Sequence, residues 1–287
     1  MSTLRERMIE DMQLRGFSVR TQESYARAVR KLAEHYRTSP DLITDEELRQ
    51  YFLYRTNVSR WSRVACTIAL CGIKFFYEQT LKRDWTTIGL LKPKRVQSRP
   101  TVLSCEEVRR TLACVHLCRH RVCLATIYSC GLRLTEGRTL QIPDIDSDRM
   151  VLHVRGKANK DRDVPLPRRT LELLRALWKS HHHPQWLFPA PGRSGRGEAT
   201  AAQPLPVASV QIAFKEALVK AHVHTRASVH TLRHSYATHL LEQGVDLRII
   251  QQILGHATPQ TTMVYTQLTE PALKPATEII NRLMAAL

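Results

Sequence analysis

Helix-ending residues crowd the last quarter of the chain, and their spacing rules out one long helix or a sheet over residues 229–268. Ser228 can cap a helix that ends at Gly244, Asp246 starts a second that ends at Gly255, and Thr258-Pro259 opens a third that carries Tyr265. In the first of these, Leu232, Tyr236, Leu240 and Leu241 recur at helical spacing and predict a core-facing stripe. His230 and Arg233 lie three apart on another face, so both can reach one ligand. An arginine offers a planar donor fork matched to two phosphate oxygens, and a histidine can move a proton near neutral pH. The Tyr265 hydroxyl is a poor nucleophile until a base or cationic surroundings favour its deprotonation.

Charge points to the partner. The 287 residues carry 43 Lys and Arg against 26 Asp and Glu, a formal net charge of +17, which suits a polyanion and nucleic acid first. The first hundred residues and the remainder are both basic, so the charge is not confined to a tail. A chain of this length has room for two domains, or one large one, that fold without staples, and 43% hydrophobic residues argue against wholesale disorder. Seven cysteines without framework spacing fit a reducing cytoplasm, and the charged first ten residues do not read as a signal peptide. The longest apolar run, 64–73, falls short of the ~18 residues a membrane span needs, so a soluble, cytoplasmic protein without membrane association is expected.

Three regions follow from the pattern. Residues 1–91 read as an all-helical DNA-binding domain, with helices over 3–15, 21–36, about 44–54 and about 59–81. The third is opened by a capping box at Thr44 and Glu47. Arg20, Arg27, Arg30 and Lys31 lie off the apolar stripe of Tyr25, Val29, Leu32 and Tyr36, and Arg60 and Arg63 start the fourth helix. Together they predict a DNA-facing surface. Residues 92–103 form a basic, proline-bearing linker that could follow a phosphate backbone and let two domains clamp a duplex. Residues 104–287 start with Ser104 and the acidic turn Glu106-Glu107, and Arg133 sits at a turn into a short helix that contains Glu136. Residues 150–155 and 162–166 alternate as a hairpin around 156–160. Further helices are expected over 170–178 and 209–221, with a surface loop over 189–204 between them. The chain should therefore be mainly α with a small β-sheet (α+β). It closes on an amphipathic helix over 275–287 that packs on its own domain or on a neighbouring protomer.

Metal readings fare poorly. Asp144, Asp146 and Asp148 alternate as in a calcium loop, but Arg149 stands at its glycine position and Arg155 at its closing glutamate. His230 and His234 have zinc-hydrolase spacing, but Thr231 occupies the place of the general-base glutamate. Cys114, His116, Cys118 and His120 are expected on one helix, where alternate residues diverge by about 200°. The triplet His181-His182-His183 suits a loop or helix end better than one ion. No phosphate-binding glycine loop is present, so nucleotide-driven chemistry is unsupported.

Five motifs in order, Gly131-Leu132-Arg133, the Gly156-Lys157 hairpin, His230-x-x-Arg233, Leu254-Gly255-His256 and Tyr265, resemble the tyrosine recombinases of the phage integrase family. The likeness is greatest to the compact bacterial recombinases that act on chromosome dimers. The resemblance covers the whole second domain, and the first resembles the family's core-binding domain. It implies a catalytic set of Arg133, Lys157, His230, Arg233, His256 and Tyr265 acting on double-stranded DNA without metal or ATP. In that scheme Tyr265 attacks the scissile phosphodiester to form a 3′-phosphotyrosyl link, and Arg133 and Arg233 hold the non-bridging oxygens. Lys157 protonates the leaving 5′-oxygen, His230 assists proton transfer at the tyrosine, and His256 supports the phosphate. The resemblance also implies a homotetramer on two DNA sites, with the final helix exchanged between protomers, serving integration, excision or transposition of a mobile element. A type IB topoisomerase and a non-catalytic DNA-binding regulator are the alternatives. Gly137 departs from the family, which has a large apolar residue there, and is expected to loosen the helix after Arg133.

Overall fold

The computed structural model describes residues 2–83, 100–156, 161–191 and 200–255. The chain divides into two compact units, residues 1–97 and 98–287. The greater part of the expected linker lies outside the described residues, as do Lys157, His256, Tyr265 and the final helix.

The first unit is helical throughout its described part: α1 (Ser2–Leu14), α2 (Val19–Tyr36), α3 (Asp45–Asn57) and α4 (Arg63–Phe75), with a wider turn at Phe76–Thr80. The capping box forms at Thr44, whose hydroxyl accepts from the Glu47 N–H at 3.3 Å while the Glu47 carboxylate accepts from the Thr44 N–H at 2.8 Å. Met8, Met12, Leu32, Leu48, Tyr51, Ile73 and Phe76 fill the core. Gly72 marks where α4 meets α2, because a Cβ there would lie 2.9 Å from the Tyr25 Cα. Arg20, Arg27, Arg30, Lys31, Arg60 and Arg63 are all exposed, while Val29 and Leu32 of the same stretch are buried. Arg55 lies over the rings of Trp61 (4.8 Å) and Tyr51 (4.9 Å), which fixes the turn between α3 and α4.

The second unit combines α5 (Cys105–Ala113), α6 (Cys118–Ser129), α7 (Leu134–Arg138), α8 (Arg168–His181), α9 (Val207–Lys220), α10 (Val229–Glu242) and α11 (Leu247–Leu254) with a small antiparallel sheet. Its strands are β1 (Ile145–Asp146), β2 (Val151–Val154) and β3 (Arg162–Pro165), in that order. The fold is therefore α+β as expected, but the sheet has a third strand, β1, which the sequence did not reveal. Two residues are too few to show alternation, and Met150, at φ 55°, makes the sharp turn back into β2. Val154 pairs with Arg162 and Leu152 with Val164, so these four share one face, and the three apolar members are wholly buried. Helix α6 supplies the centre of the core through Val122, Cys123, Leu124 and Ile127, and α10 adds Val229 and Leu232. Burial pushes the Cys123 thiol up to about 12.

Two expectations are corrected here. Cys114, His116, Cys118 and His120 do not share a helix: α5 ends at Ala113, α6 begins at Cys118, and Val115 is buried between them. The diverging-helix argument against a shared ion therefore does not apply to them, and no cluster of three or more metal-ligating side chains forms among the described residues. Gly137 does not loosen α7. A Cβ there would come within 2.4 Å of the Ile127 Cγ1, so the glycine lets α7 lie tightly on α6. A large apolar side chain could enter only by displacing Ile127.

The triplet histidines end α8. His183 Nδ1 accepts from the N–H groups of Gln185 (3.0 Å) and Trp186 (2.8 Å), and its Nε2–H donates to the Ala201 carbonyl (2.9 Å), so it organises the following loop. No helix among the described residues is long and apolar enough to cross a membrane.

Candidate active site

Three chain segments converge below the C-terminal end of α11. The first is the turn from α6 into α7. Gly131 takes φ +61°, and a Cβ there would lie 2.6 Å from the Tyr236 ring, so only glycine allows this turn to lie against α10. Arg133 is the N-cap residue of α7, and its N–H donates to the Glu136 carboxylate at 2.8 Å, as in a capping box. Its guanidinium turns back onto the same carboxylate, with Nη1 2.6 Å from Oε1, and it remains 39% exposed.

The second segment is α10, which begins with Thr231 accepting from the Ser228 N–H at 3.0 Å. Arg233 points into the unit and is 1% exposed. Its Nη1 donates to the Gly131 carbonyl (2.8 Å), and its Nη2 donates to the Leu254 carbonyl (2.5 Å). Nη1 also lies 3.7 Å from Glu136 Oε2. Arg233 thus ties the Arg133 turn to the end of α11, and both arginines meet one carboxylate.

His230, one turn earlier, keeps an exposed edge. The protein atoms crowding its ring nevertheless withhold enough water to lower its pKa, and Arg233 and Arg133 lower it further. His234 packs edge-on against it, ring centroids 4.5 Å apart. Burial, then His230 and Arg233, brings the pKa of His234 down to about 4. Both shifts favour the neutral ring.

The third segment is the end of α11, where Gly255 closes the helix at φ +63°. Its carbonyl accepts from Arg133 Nη2 at 3.5 Å. His256 is the next residue in the chain, and it lies outside the described residues together with Lys157 and Tyr265. Of the six expected site residues, the described structure brings together Arg133, His230 and Arg233.

Two residues that sequence reasoning passed over complete this centre. Glu136 is buried, and desolvation alone would raise its pKa. Hydrogen bonds from Arg162 and from the Arg133 backbone and side chain outweigh that burial and hold the carboxyl at about 2. Arg162 of β3 grips it with both ends of its fork, Nη1 to Oε1 at 3.1 Å and Nη2 to Oε2 at 2.8 Å, while Nε donates to the Ile253 carbonyl at 2.7 Å. The signal available was parity: Arg162 stands on the inward face of its strand with Val164, where an arginine needs a buried partner.

Residues 101–271 match the phage integrase family, and residues 4–87 match the phage integrase N-terminal SAM-like domain. The chain belongs to the phage integrase family of tyrosine recombinases. This recombinase is 41% identical to y4qK of Sinorhizobium fredii, an integrase/recombinase by name, over 274 residues, 93% of this chain and 85% of that one. It is 33% identical to the tyrosine recombinase XerA of Thermococcus kodakarensis over 95% of this chain and 94% of that one. A crystal structure of XerA recombinase covers 96% of both chains, with TM-score 0.53 and 26% identity. The fold also matches the Tn1549 transposon integrase in complex with transposon right end DNA, with TM-score 0.73 at 15% identity over 98% and 99% of the two chains. Site-specific DNA recombination is the activity this family membership supports.

Proposed function

We propose that this recombinase cuts and rejoins DNA through Tyr265, with Arg133, Lys157, His230, Arg233 and His256 as its catalytic partners. The observation that carries the reading is the convergence of Arg133 and Arg233 on Glu136, with His230 three residues before Arg233 on α10. Two guanidiniums held by one carboxylate give a cationic centre suited to a phosphodiester.

In the proposed step the Tyr265 hydroxyl gives its proton to His230, and its oxygen forms a bond to phosphorus. The bond from phosphorus to the 5′-oxygen breaks, and Lys157 supplies the proton that the leaving oxygen takes up. Arg133 and Arg233 neutralise the charge that develops on the non-bridging oxygens, and His256 donates a further hydrogen bond. No bond energy is lost to water, so the reverse attack by a partner 5′-hydroxyl rejoins the strand. The side chains supply the charge that magnesium provides elsewhere, and the reaction proceeds in EDTA without ATP.

The exposed arginines of α2 and the start of α4 contact the DNA backbone, with residues 1–91, 92–103 and 104–287 acting as DNA-binding domain, linker and catalytic domain in the cytoplasm. Four protomers would pair two sites and exchange the helix over 275–287. The event served is movement of a mobile element by integration, excision or transposition. Sequencing the junctions formed when the purified protein acts on DNA flanking its own gene defines the crossover sequence. A nicked duplex carrying that sequence should then trap a covalent adduct in EDTA, and Tyr265→Phe should bind the duplex but form none. Plasmid relaxation without joining of two sites would instead assign a topoisomerase, and binding without adduct a regulator.

A further inference from the structure

Arg162 takes no part in the proposed chemistry, yet its side chain is only 8% exposed, and its fork makes the two-point contact with Glu136. The same carboxylate is 2.6 Å from Arg133 and 3.7 Å from Arg233. Three guanidiniums and one carboxylate sum to a charge of +2. A phosphodiester carries one negative charge, and the five-coordinate phosphorus of the transition state carries two, so this cationic group, to which the proposed Lys157 would add, attracts the second more strongly than the first. Without Arg162 the sum falls to +1, and among the described residues the Glu136 charge is left to Arg133 and Arg233, drawing both away from a phosphate.

We propose that Arg162 is a positioning residue that neutralises Glu136 from beneath and so leaves the charge of Arg133 and Arg233 to the scissile phosphate. Its Nε donates to the Ile253 carbonyl, which sets its height against the end of α11. Gly255 belongs to the same arrangement, because a Cβ there would come within 2.8 Å of the Arg162 Cδ. The inference rests on the reading that this centre cleaves DNA.

The test is the single-turnover rate of adduct formation on the nicked duplex, using the full chain at saturating DNA, with the dissociation constant measured in parallel. Arg162→Met should bind DNA as the wild type does and form adduct about 10²- to 10³-fold more slowly, the range for loss of one donor to a developing anion. Arg162→Lys, which keeps the charge, should regain about tenfold or more of that loss. The double variant Glu136→Gln with Arg162→Met restores the sum to +2 and should also be faster than Arg162→Met alone, a recovery that a merely structural role would not give. On a methylphosphonate, which lacks one negative charge, the deficit of Arg162→Met should shrink. Arg162→Met at wild-type rate, or a double variant no faster than Arg162→Met with equal deficits on both substrates, overturns the inference. Wild-type adduct with none from Tyr265→Phe upholds the reading beneath it in either case, and absence of wild-type adduct removes both.

Discussion

Replacing Glu136 by glutamine should cost the second unit about 3 kcal/mol at pH 7, and the cost should depend on pH in a defined direction. The Glu136 carboxyl is held at about 2 in the folded chain against an ordinary value of 4.5. At about 1.4 kcal/mol for each pH unit, that preference for the charged form is worth about 3 kcal/mol. Because the folded value lies below the unfolded one, the stabilisation is complete above pH 4.5 and is lost as pH falls from 4.5 towards 2. The gap between wild type and Glu136→Gln should therefore stand unchanged from pH 7 to 5 and fall to roughly half by pH 3. Glutamine keeps the shape and removes the negative charge that faces three guanidiniums, two of them with nearly buried side chains, so packing loss adds little. The assay is urea unfolding followed by tryptophan fluorescence in a background with Trp61 and Trp85 changed to Phe, so that Trp178 and Trp186 report the second unit. A gap below about 1 kcal/mol at pH 7, or one of equal size at pH 3, would refute the view that this carboxylate is the electrostatic hub.

Three further outcomes follow from the same geometry. Gly137→Leu must displace Ile127 and should lower stability by about 1–3 kcal/mol in thermal unfolding, whereas a loose α7 would accept the side chain without loss. Gly255→Ala is strained by its positive φ and by Arg162, and should slow adduct formation more than it weakens DNA binding; equal effects on both would contradict the placement. In an NMR titration the His230 ring should titrate below its ordinary 6.5, and Arg133→Gln should move that midpoint upward by removing a cation that lowers it. A midpoint unmoved by Arg133→Gln would place the two groups beyond electrostatic contact.

Local chemistry made part of this centre legible. Ser228, Asp246 and Gly255 mark the ends of α10 and α11 because capping depends on residues adjacent in sequence, and the spacing of His230 and Arg233 followed from helical geometry. Alternation located β2 and β3, and the Ser104 and Thr44 caps located α5 and α3. What stayed hidden depends on contacts far apart in the chain. Arg162 meets Glu136 across 26 residues, and Arg233 meets Gly131 across 102. The break between Ala113 and Cys118 has no glycine or proline to announce it, since burial of Val115 sets it. The tightness at Gly137 comes from Ile127 on a neighbouring helix, so the same glycine read as a weakness in sequence becomes a packing contact in the fold.

The most direct measurement is to trap the covalent complex on the nicked duplex, digest both protein and DNA, and locate the nucleotide-bearing peptide by mass spectrometry. The account predicts one modified peptide, with a 3′-linked phosphodiester on the oxygen of Tyr265. A nucleotide attached at any other side chain, or linked through a 5′-phosphate, would contradict it.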